Sequence, residues 1–185
     1  MAEYYLISQL PSLDGLSENS PLPISEERFY EICDNLLSEK AKKVFEGLTL
    51  KVPKCYEDTQ STLVNSWNES ESGLRLALCK VRAEKMKKPY DIGSRAISWE
   101  YLKAAAFACE MENPMEAEKY LCAFRLGILE ALRPTDSFSL DYIYYYGLKL
   151  KLLLRIRNFD TEKGKEAYRN IYNSILNGDC LEAKK

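Results

Sequence analysis

The side chains that could carry out catalysis or bind a metal are mainly carboxylates, because the chain contains no histidine. Four glutamates occur close together, at Glu110, Glu112, Glu116 and Glu118. Paired carboxylates can act as general acid and base, and helical carboxylates can hold two iron ions. Such iron sites also require Glu-x-x-His motifs, which this chain does not have. We therefore predict neither catalytic residues nor metal ligands among these glutamates.

Cysteine is the second residue type that could act as a nucleophile or bind a metal. No two cysteines form a C-x-x-C pair, and without histidine no Cys-His or Ser-His nucleophile can form. We predict that the cysteines are small buried hydrophobic side chains rather than disulfide partners or metal ligands. No glycine-rich phosphate loop, dinucleotide fingerprint or nucleophile elbow occurs, so we predict that the protein is not an enzyme and holds no cofactor. The six cysteines are Cys33, Cys55, Cys79, Cys109, Cys122 and Cys180.

A basic run at residues 80–88 carries five lysines or arginines and a single glutamate. Such a run could contact an acidic protein surface. The alternative is a solvated helix end, where positive charge complements the helix dipole. The run contains no aromatic residue on which bases could stack, which argues against single-stranded nucleic acid. The partner-binding candidates in this run are Arg82, Lys85, Lys87 and Lys88.

A tyrosine cluster follows at Tyr142, Tyr144, Tyr145 and Tyr146, in a chain with 13 tyrosines. On a helix these four side chains point in different directions. Most are expected in the core, while Tyr142 or Tyr145 presents its ring at a protein interface. Both are therefore predicted partner-binding residues.

The composition is that of a globular protein, with 46% hydrophobic and 29% charged residues. The net charge of -2 gives no general attraction for nucleic acid or anionic membranes. The first residues include Glu3 where a signal peptide needs positive charge, and no apolar stretch approaches a membrane span. We predict no nucleic-acid partner and a cytoplasmic location.

Helical periodicity dominates the chain after residue 25. Ser25 is a plausible N-cap for a helix whose apolar residues, from Phe29 to Leu37, recur every three or four positions. Asn113 and Pro114 are the cap and first residue of a later helix. Gly73 marks a kink or a break. The other predicted helical segments are 59–88, 94–111, 114–132, 138–158 and a last helix between Asp160 and Gly178.

The predicted fold class is therefore all-α, a multi-helix bundle of about six helices in antiparallel pairs. Residues 3–10 are too short for a predicted helix, so we expect a strand-like or irregular segment there. Prolines and Gly15 then favour an extended loop. The predicted organisation is an extended segment at 1–24 packed on a single all-helical domain at 25–185.

A helical-repeat interpretation remains open for residues 109–117, which resemble the turn of a tetratricopeptide hairpin. A repeat array should recur at about 34 residues, and no second copy is present. An ordinary helix pair is therefore favoured. The alternative function is a tetratricopeptide-like interaction adaptor that binds a peptide or a helix in the groove between the 94–111 and 114–132 helices. This groove would be exposed and lined by Tyr101, Tyr120 or Phe124.

The chain contains a set of short motifs at 4–13, 23–33, 138–141, 147–150 and 159–164. Together with Trp67 and the helix from Arg75 to Lys85, they cover most of the chain. These features resemble an uncharacterised bacterial family that is encoded in V-type ATPase operons.

This resemblance implies a non-catalytic component or assembly factor of a V-type ATPase. Its place would be that of the C/d-type socket protein of the ATPase, which couples the central stalk to the membrane ring. The implied partners are central-stalk or ring subunits. The protein would then lie at the cytoplasmic face of the inner membrane, peripheral to it through protein contacts only. The family supplies no catalytic residues that could be assigned here.

Overall fold

The computed structural model describes residues 2–16, 21–52, 58–90, 96–159 and 161–176. Within these residues the chain forms eight helices and no strand, which confirms the predicted all-α class. None of these helices is long and apolar enough to cross a membrane. The helices are α1 (Ala2–Ser8), α2 (Glu26–Leu36), α3 (Glu39–Glu46), α4 (Thr62–Lys85), α5 (Trp99–Glu110), α6 (Pro114–Ala131), α7 (Leu140–Arg157) and α8 (Thr161–Leu176).

Two predicted helix starts are confirmed by their capping hydrogen bonds. The Ser25 side chain accepts a hydrogen bond from the Arg28 N–H at 3.2 Å, and α2 begins directly after it. The Asn113 side chain accepts one from the Met115 N–H at 3.0 Å. Each bond satisfies an N–H that has no partner within the helix. Pro114 is the first residue of α6, as predicted.

Two short helices depart from the sequence predictions. The segment predicted as strand-like or irregular is instead helical from residue 2 to residue 8. Leu6 on α1 is completely buried, and packing against α2 supplies stability that seven residues lack alone. The helix α3 was not predicted. Ser38 caps it, and Ala41 and Phe45 bury one face.

The sequence predicts a kink or a break at Gly73, and the long helix α4 runs through this residue without a break. Glycine is required there by close packing rather than by an irregular backbone. A Cβ atom at this position would lie 2.9 Å from Cε2 of Tyr101 on α5, closer than carbon atoms pack. Gly73 therefore lets α5 approach α4.

Buried side chains form two clusters along α4. The first cluster surrounds Trp67 and Ile143 and includes Leu6, Leu13 and Ile24 from the N-terminal segment. The second cluster lies between α5, α6 and the C-terminal half of α4, and small alanines let these helices pack closely. As predicted, α7 is buried on several sides, since residues 143–150 are all buried.

Candidate functional site: an exposed helix and a basic cleft

The basic run lies at the C-terminal end of α4, where Arg82, Lys85, Lys87 and Lys88 are exposed. Lys85 has an internal partner, because its ammonium group donates a hydrogen bond to the backbone carbonyl of Cys109. That carbonyl belongs to the last turn of α5, where a positive charge is favourable. Lys85 therefore stabilises the α4–α5 pair.

Lys87 and Lys88 end α4 through a Schellman motif. The Lys88 N–H donates to the Ala83 carbonyl at 2.9 Å, and the Lys87 N–H donates to the Glu84 carbonyl at 3.1 Å. Lys87 has a φ of 52°, in the left-handed region. Glycine usually occupies this position, because a side chain there costs about 1–2 kcal/mol. The basic run thus includes a strained helix end.

Replacing Lys87 by glycine is expected to raise the free energy of unfolding by about 0.5–1 kcal/mol, because relief of the strain exceeds the added entropy of the unfolded chain. Urea denaturation followed by circular dichroism measures this change. Lys88→Gly is the matched control and should be neutral or slightly destabilising. Equal effects of the two substitutions would contradict the assigned strain.

The tyrosine cluster lies in the first core rather than at the surface. Tyr145 is only 2% exposed, so the prediction that its ring faces a partner is wrong. Its hydroxyl oxygen accepts a hydrogen bond from Lys149 at 3.2 Å, and burial raises its pKa to about 12. The Tyr146 hydroxyl donates to the Pro11 carbonyl at 2.8 Å. Tyr142 is half-buried and its ring lies 5.8 Å from that of Tyr145.

The three rings that the adaptor alternative places in an exposed groove between α5 and α6 are not fully exposed. Tyr101, Tyr120 and Phe124 are half-buried and pack against the second cluster. Tyr101 and Phe124 meet edge to face with 6.2 Å between ring centroids. These rings therefore hold the helix pair together.

The cysteines fall into two environments. Cys33 and Cys122 are fully buried, as predicted, and burial raises the pKa of the Cys33 thiol to about 12. Cys109 is half-buried, whereas Cys79 is exposed, so the prediction of burial is wrong for Cys79. Cys55 and Cys180 lie outside the described residues.

The helix α8 exposes an apolar stripe, although its periodicity predicts a helix face packed in the bundle. Tyr168 is 67% exposed, Ile171 60%, Tyr172 51% and Ile175 70%. These positions follow the i, i+3, i+4, i+7 spacing of one helix face. None of the α8 side chains that the structure describes is buried. The stripe is thus the largest run of exposed apolar residues on one described helix.

A second feature is a basic cleft of about 380 Å³ between α4, α6 and α7. Its walls carry five cationic and two anionic side chains, which give a net formal charge of +3. Four leucines supply the apolar part of the lining. The charged lining residues are Lys51, Glu71, Arg75, Arg82, Glu118, Arg125 and Arg155, and the leucines are Leu50, Leu78, Leu121 and Leu152.

Two of the five cations are neutralised by the two carboxylates. Arg125 donates two hydrogen bonds to Glu71, at 2.8 and 3.0 Å, and both side chains are nearly buried. Arg155 donates to Glu118 at 2.6 Å, and Glu118 also lies 3.8 Å from Arg125. Of the four glutamates singled out in the sequence, Glu118 is the one that lines this cleft.

The other three cations are Lys51, Arg75 and Arg82. Within the part of the chain that the structure describes, none of them forms an ion pair with a carboxylate. Arg75 donates a hydrogen bond to the Val52 carbonyl, which fixes its guanidinium without neutralising it. Arg75, Cys79 and Arg82 lie at positions i, i+4 and i+7, so their spacing alone places them on one face of α4. This spacing is the feature of the sequence that could have identified the α4 side of the cleft.

No family model, curated protein or solved structure matched this chain in the comparisons made. The association with a V-type ATPase accordingly stays a prediction.

Proposed function

We propose that this protein is a non-catalytic helical component or assembly factor that binds its partner through the exposed stripe of α8. The partners proposed are central-stalk or ring subunits of a bacterial V-type ATPase, as the family resemblance implies. The observation that supports the binding role is the exposure of Tyr168, Ile171, Tyr172 and Ile175 on one face. The ATPase assignment is supported by the sequence motifs.

Covering this stripe is energetically favourable. Full burial of one large apolar side chain contributes about 1.5–3 kcal/mol, and these four are between 51% and 70% exposed. Aromatic side chains such as Tyr168 and Tyr172 are also enriched at protein interfaces, since the ring is buried while the hydroxyl keeps a polar partner. The stripe thus has the composition of an interface core.

The size of α8 favours an enclosing partner over a second copy of the helix. A standard interface contains roughly 20–30 residues on each side. The 16 residues of α8 expose apolar side chains on one face only, so two α8 helices paired symmetrically would fall short. An apolar groove between partner helices would contact both flanks of the stripe. We therefore propose that α8 inserts into such a groove.

The basic run requires a revised role in this proposal. A triple substitution of Lys85, Lys87 and Lys88 by glutamate would test contact with an acidic partner surface through its charge. Lys85 stabilises α5 and Lys87 ends α4, so that variant would also destabilise the fold. Arg82 and Lys88 are the residues to replace when the charge alone is tested.

Substituting Tyr168, Ile171 and Ile175 together by serine is expected to weaken partner binding by more than about tenfold. The reason is that truncation of one dominant residue at the centre of an interface costs about 2 kcal/mol or more. The unfolding temperature should not fall, because these side chains are exposed. The measurement is a pull-down of tagged protein from its own cells with mass spectrometry of the ATPase subunits. Titration of the wild type and of the variant with the purified partner then measures the change in affinity.

The matched control replaces Glu166, Asn170 and Asn173 by serine, because these exposed residues lie on the opposite face of α8. It should recover the same subunits as the wild type. Equal recovery by the apolar-stripe variant would show that α8 is not the binding surface. A wild-type pull-down without ATPase subunits, from a lysate that contains the intact ATPase, would overturn the ATPase assignment. A wild-type dimer that the variant abolishes would identify a second copy as the occupant.

A further inference from the structure

We infer that the basic cleft binds the phosphate group of a small phosphorylated molecule, whose apolar part lies against the partly exposed Leu50 of the same cleft. This site is separate from the α8 stripe and does not depend on the proposed partner. It is carried by three cations that pair with no carboxylate among the described residues, by the positions of the two arginines on α4 and by the mixed lining.

The charge within the cleft is organised in two layers. Glu71 and Arg125 form a nearly buried bidentate pair, with side chains that are 3% and 11% exposed. Arg75, Arg82 and Lys51 are exposed and have no carboxylate partner among the described residues. Because the inner layer is neutral, the outer cations attract an anion that enters the cleft.

The α4 wall presents two guanidinium groups to the same ligand. Arg75 and Arg82 are seven residues apart, so their Cα atoms are separated by about 10.5 Å along one helix face. The Arg75 guanidinium is held by the Val52 carbonyl, and the exposed Arg82 side chain is long enough to approach a phosphate bound beside it. The planar guanidinium matches phosphate oxygens with paired N–H donors, a geometry that lysine lacks. Lys51 adds a third charge from outside α4.

The volume and lining indicate the size and character of the ligand. At about 380 Å³ the cleft lies at the lower end of the range for small-molecule sites. Among the leucines of the lining, Leu50 is partly exposed, whereas Leu78, Leu121 and Leu152 are at most 6% exposed and form buried walls. An inorganic phosphate would fill only part of the cleft volume. A phosphate monoester with a compact apolar group places its phosphate beside the cations and its apolar group against Leu50.

Phenyl phosphate is the probe of choice, and its binding to the full chain is measured by isothermal titration calorimetry at constant ionic strength. Saturable binding is expected, with at least tenfold weaker affinity in the Arg75→Gln/Arg82→Gln variant. Arg82→Gln alone should also weaken binding without loss of the fold, because the Arg82 side chain is exposed. The control is Lys40→Gln/Lys43→Gln, which removes two exposed charges from α3 and should leave the affinity unchanged.

The thiol of Cys79 supplies an independent readout, because it is exposed and lines the cleft. Phenyl phosphate should slow its alkylation by iodoacetamide in the wild type, as measured by peptide mass spectrometry, without slowing that of Cys109. Absence of saturable binding, or equal affinity in the arginine variant, would overturn the site. Inorganic phosphate that binds as tightly as phenyl phosphate would overturn the assignment of the apolar part.

Discussion

Replacing Arg125 by methionine is expected to lower the free energy of unfolding by about 3–5 kcal/mol, because it leaves the Glu71 carboxylate buried without a partner. Glu71 is 3% exposed and receives both of its ion-pair hydrogen bonds from this one arginine. Methionine retains much of the apolar stem of arginine, so lost packing contributes little. The measured loss would chiefly be the cost of a buried, unpaired charge.

In the wild-type protein Arg125 keeps its proton and remains a charged partner for Glu71. Burial lowers the pKa of Arg125, but the hydrogen bonds and charge of Glu71 raise it by more, with a further contribution from Glu118. The net pKa lies above the ordinary value, so the guanidinium is charged throughout the accessible pH range.

A double variant separates the ion pair from the packing around it. Glu71→Leu/Arg125→Met replaces both charges by apolar groups of similar size, and it should regain most of the stability lost by Arg125→Met. Urea denaturation of the four members of this cycle gives the coupling energy. Arg28→Met is the control, since its ion pair with Glu31 is exposed and should contribute no more than about 1 kcal/mol. A loss below that value for Arg125→Met would contradict the buried-pair assignment.

The helices that were predicted are those whose periodicity and end signals agree. For α2 and α6 an apolar stripe begins just after a capping residue, Ser25 or Asn113, and local sequence suffices. The short helices α1 and α3 were not predicted because seven or eight residues carry too little periodic signal. Their stability comes from contacts such as that of Leu6 with the first core cluster, which local sequence does not specify.

The candidate surfaces were less predictable than the helices, for a physical reason. Periodicity shows that α8 has an apolar face, but whether that face is covered depends on where the other helices lie. The same is true of the basic cleft. Arg75 and Arg82 share one face of α4 by their spacing alone, whereas Glu118, Arg125 and Arg155 reach the cleft only through the packing of α6 and α7. The basic run at 80–88 could be recognised from the sequence because its charged residues are close together along the chain.

The sequence predicts that Tyr142 or Tyr145 presents its ring at an interface, whereas Tyr145 is buried. This difference also arises because burial depends on where the other helices lie. A helix with tyrosines in several directions must expose some of them if one of its sides faces solvent. Since α7 is surrounded by neighbours, Tyr145 instead enters a buried polar network with Lys149. Lys149 also pairs with Asp14 and with Glu130, the latter at 2.6 Å. One ammonium group thus joins the N-terminal segment, α6 and α7.

Substituting Lys149 by methionine is expected to lower the free energy of unfolding by about 1–2 kcal/mol at pH 7. Hydrogen bonds to a charged group contribute more than this when all partners are buried. Here Asp14 is 51% and Glu130 42% exposed, so water replaces part of the lost interaction. Lys43→Met, at an exposed position on α3, is the control and should be nearly neutral.

The destabilisation should depend on pH in a defined direction. The hydrogen bond from Lys149 lowers the pKa of Asp14 below its ordinary value of 3.8. Burial alone would raise the pKa of Glu130, but Lys149 lowers it below 4.5. Carboxyl groups with depressed pKa values stabilise the fold above their ordinary pKa, and this contribution is lost as the pH falls through the folded-state value. Urea denaturation should therefore show the full difference between wild type and Lys149→Met at pH 7, shrinking as the pH falls below 4.5. A difference that stays constant down to pH 3 would show that Lys149 contributes through packing rather than through these ion pairs.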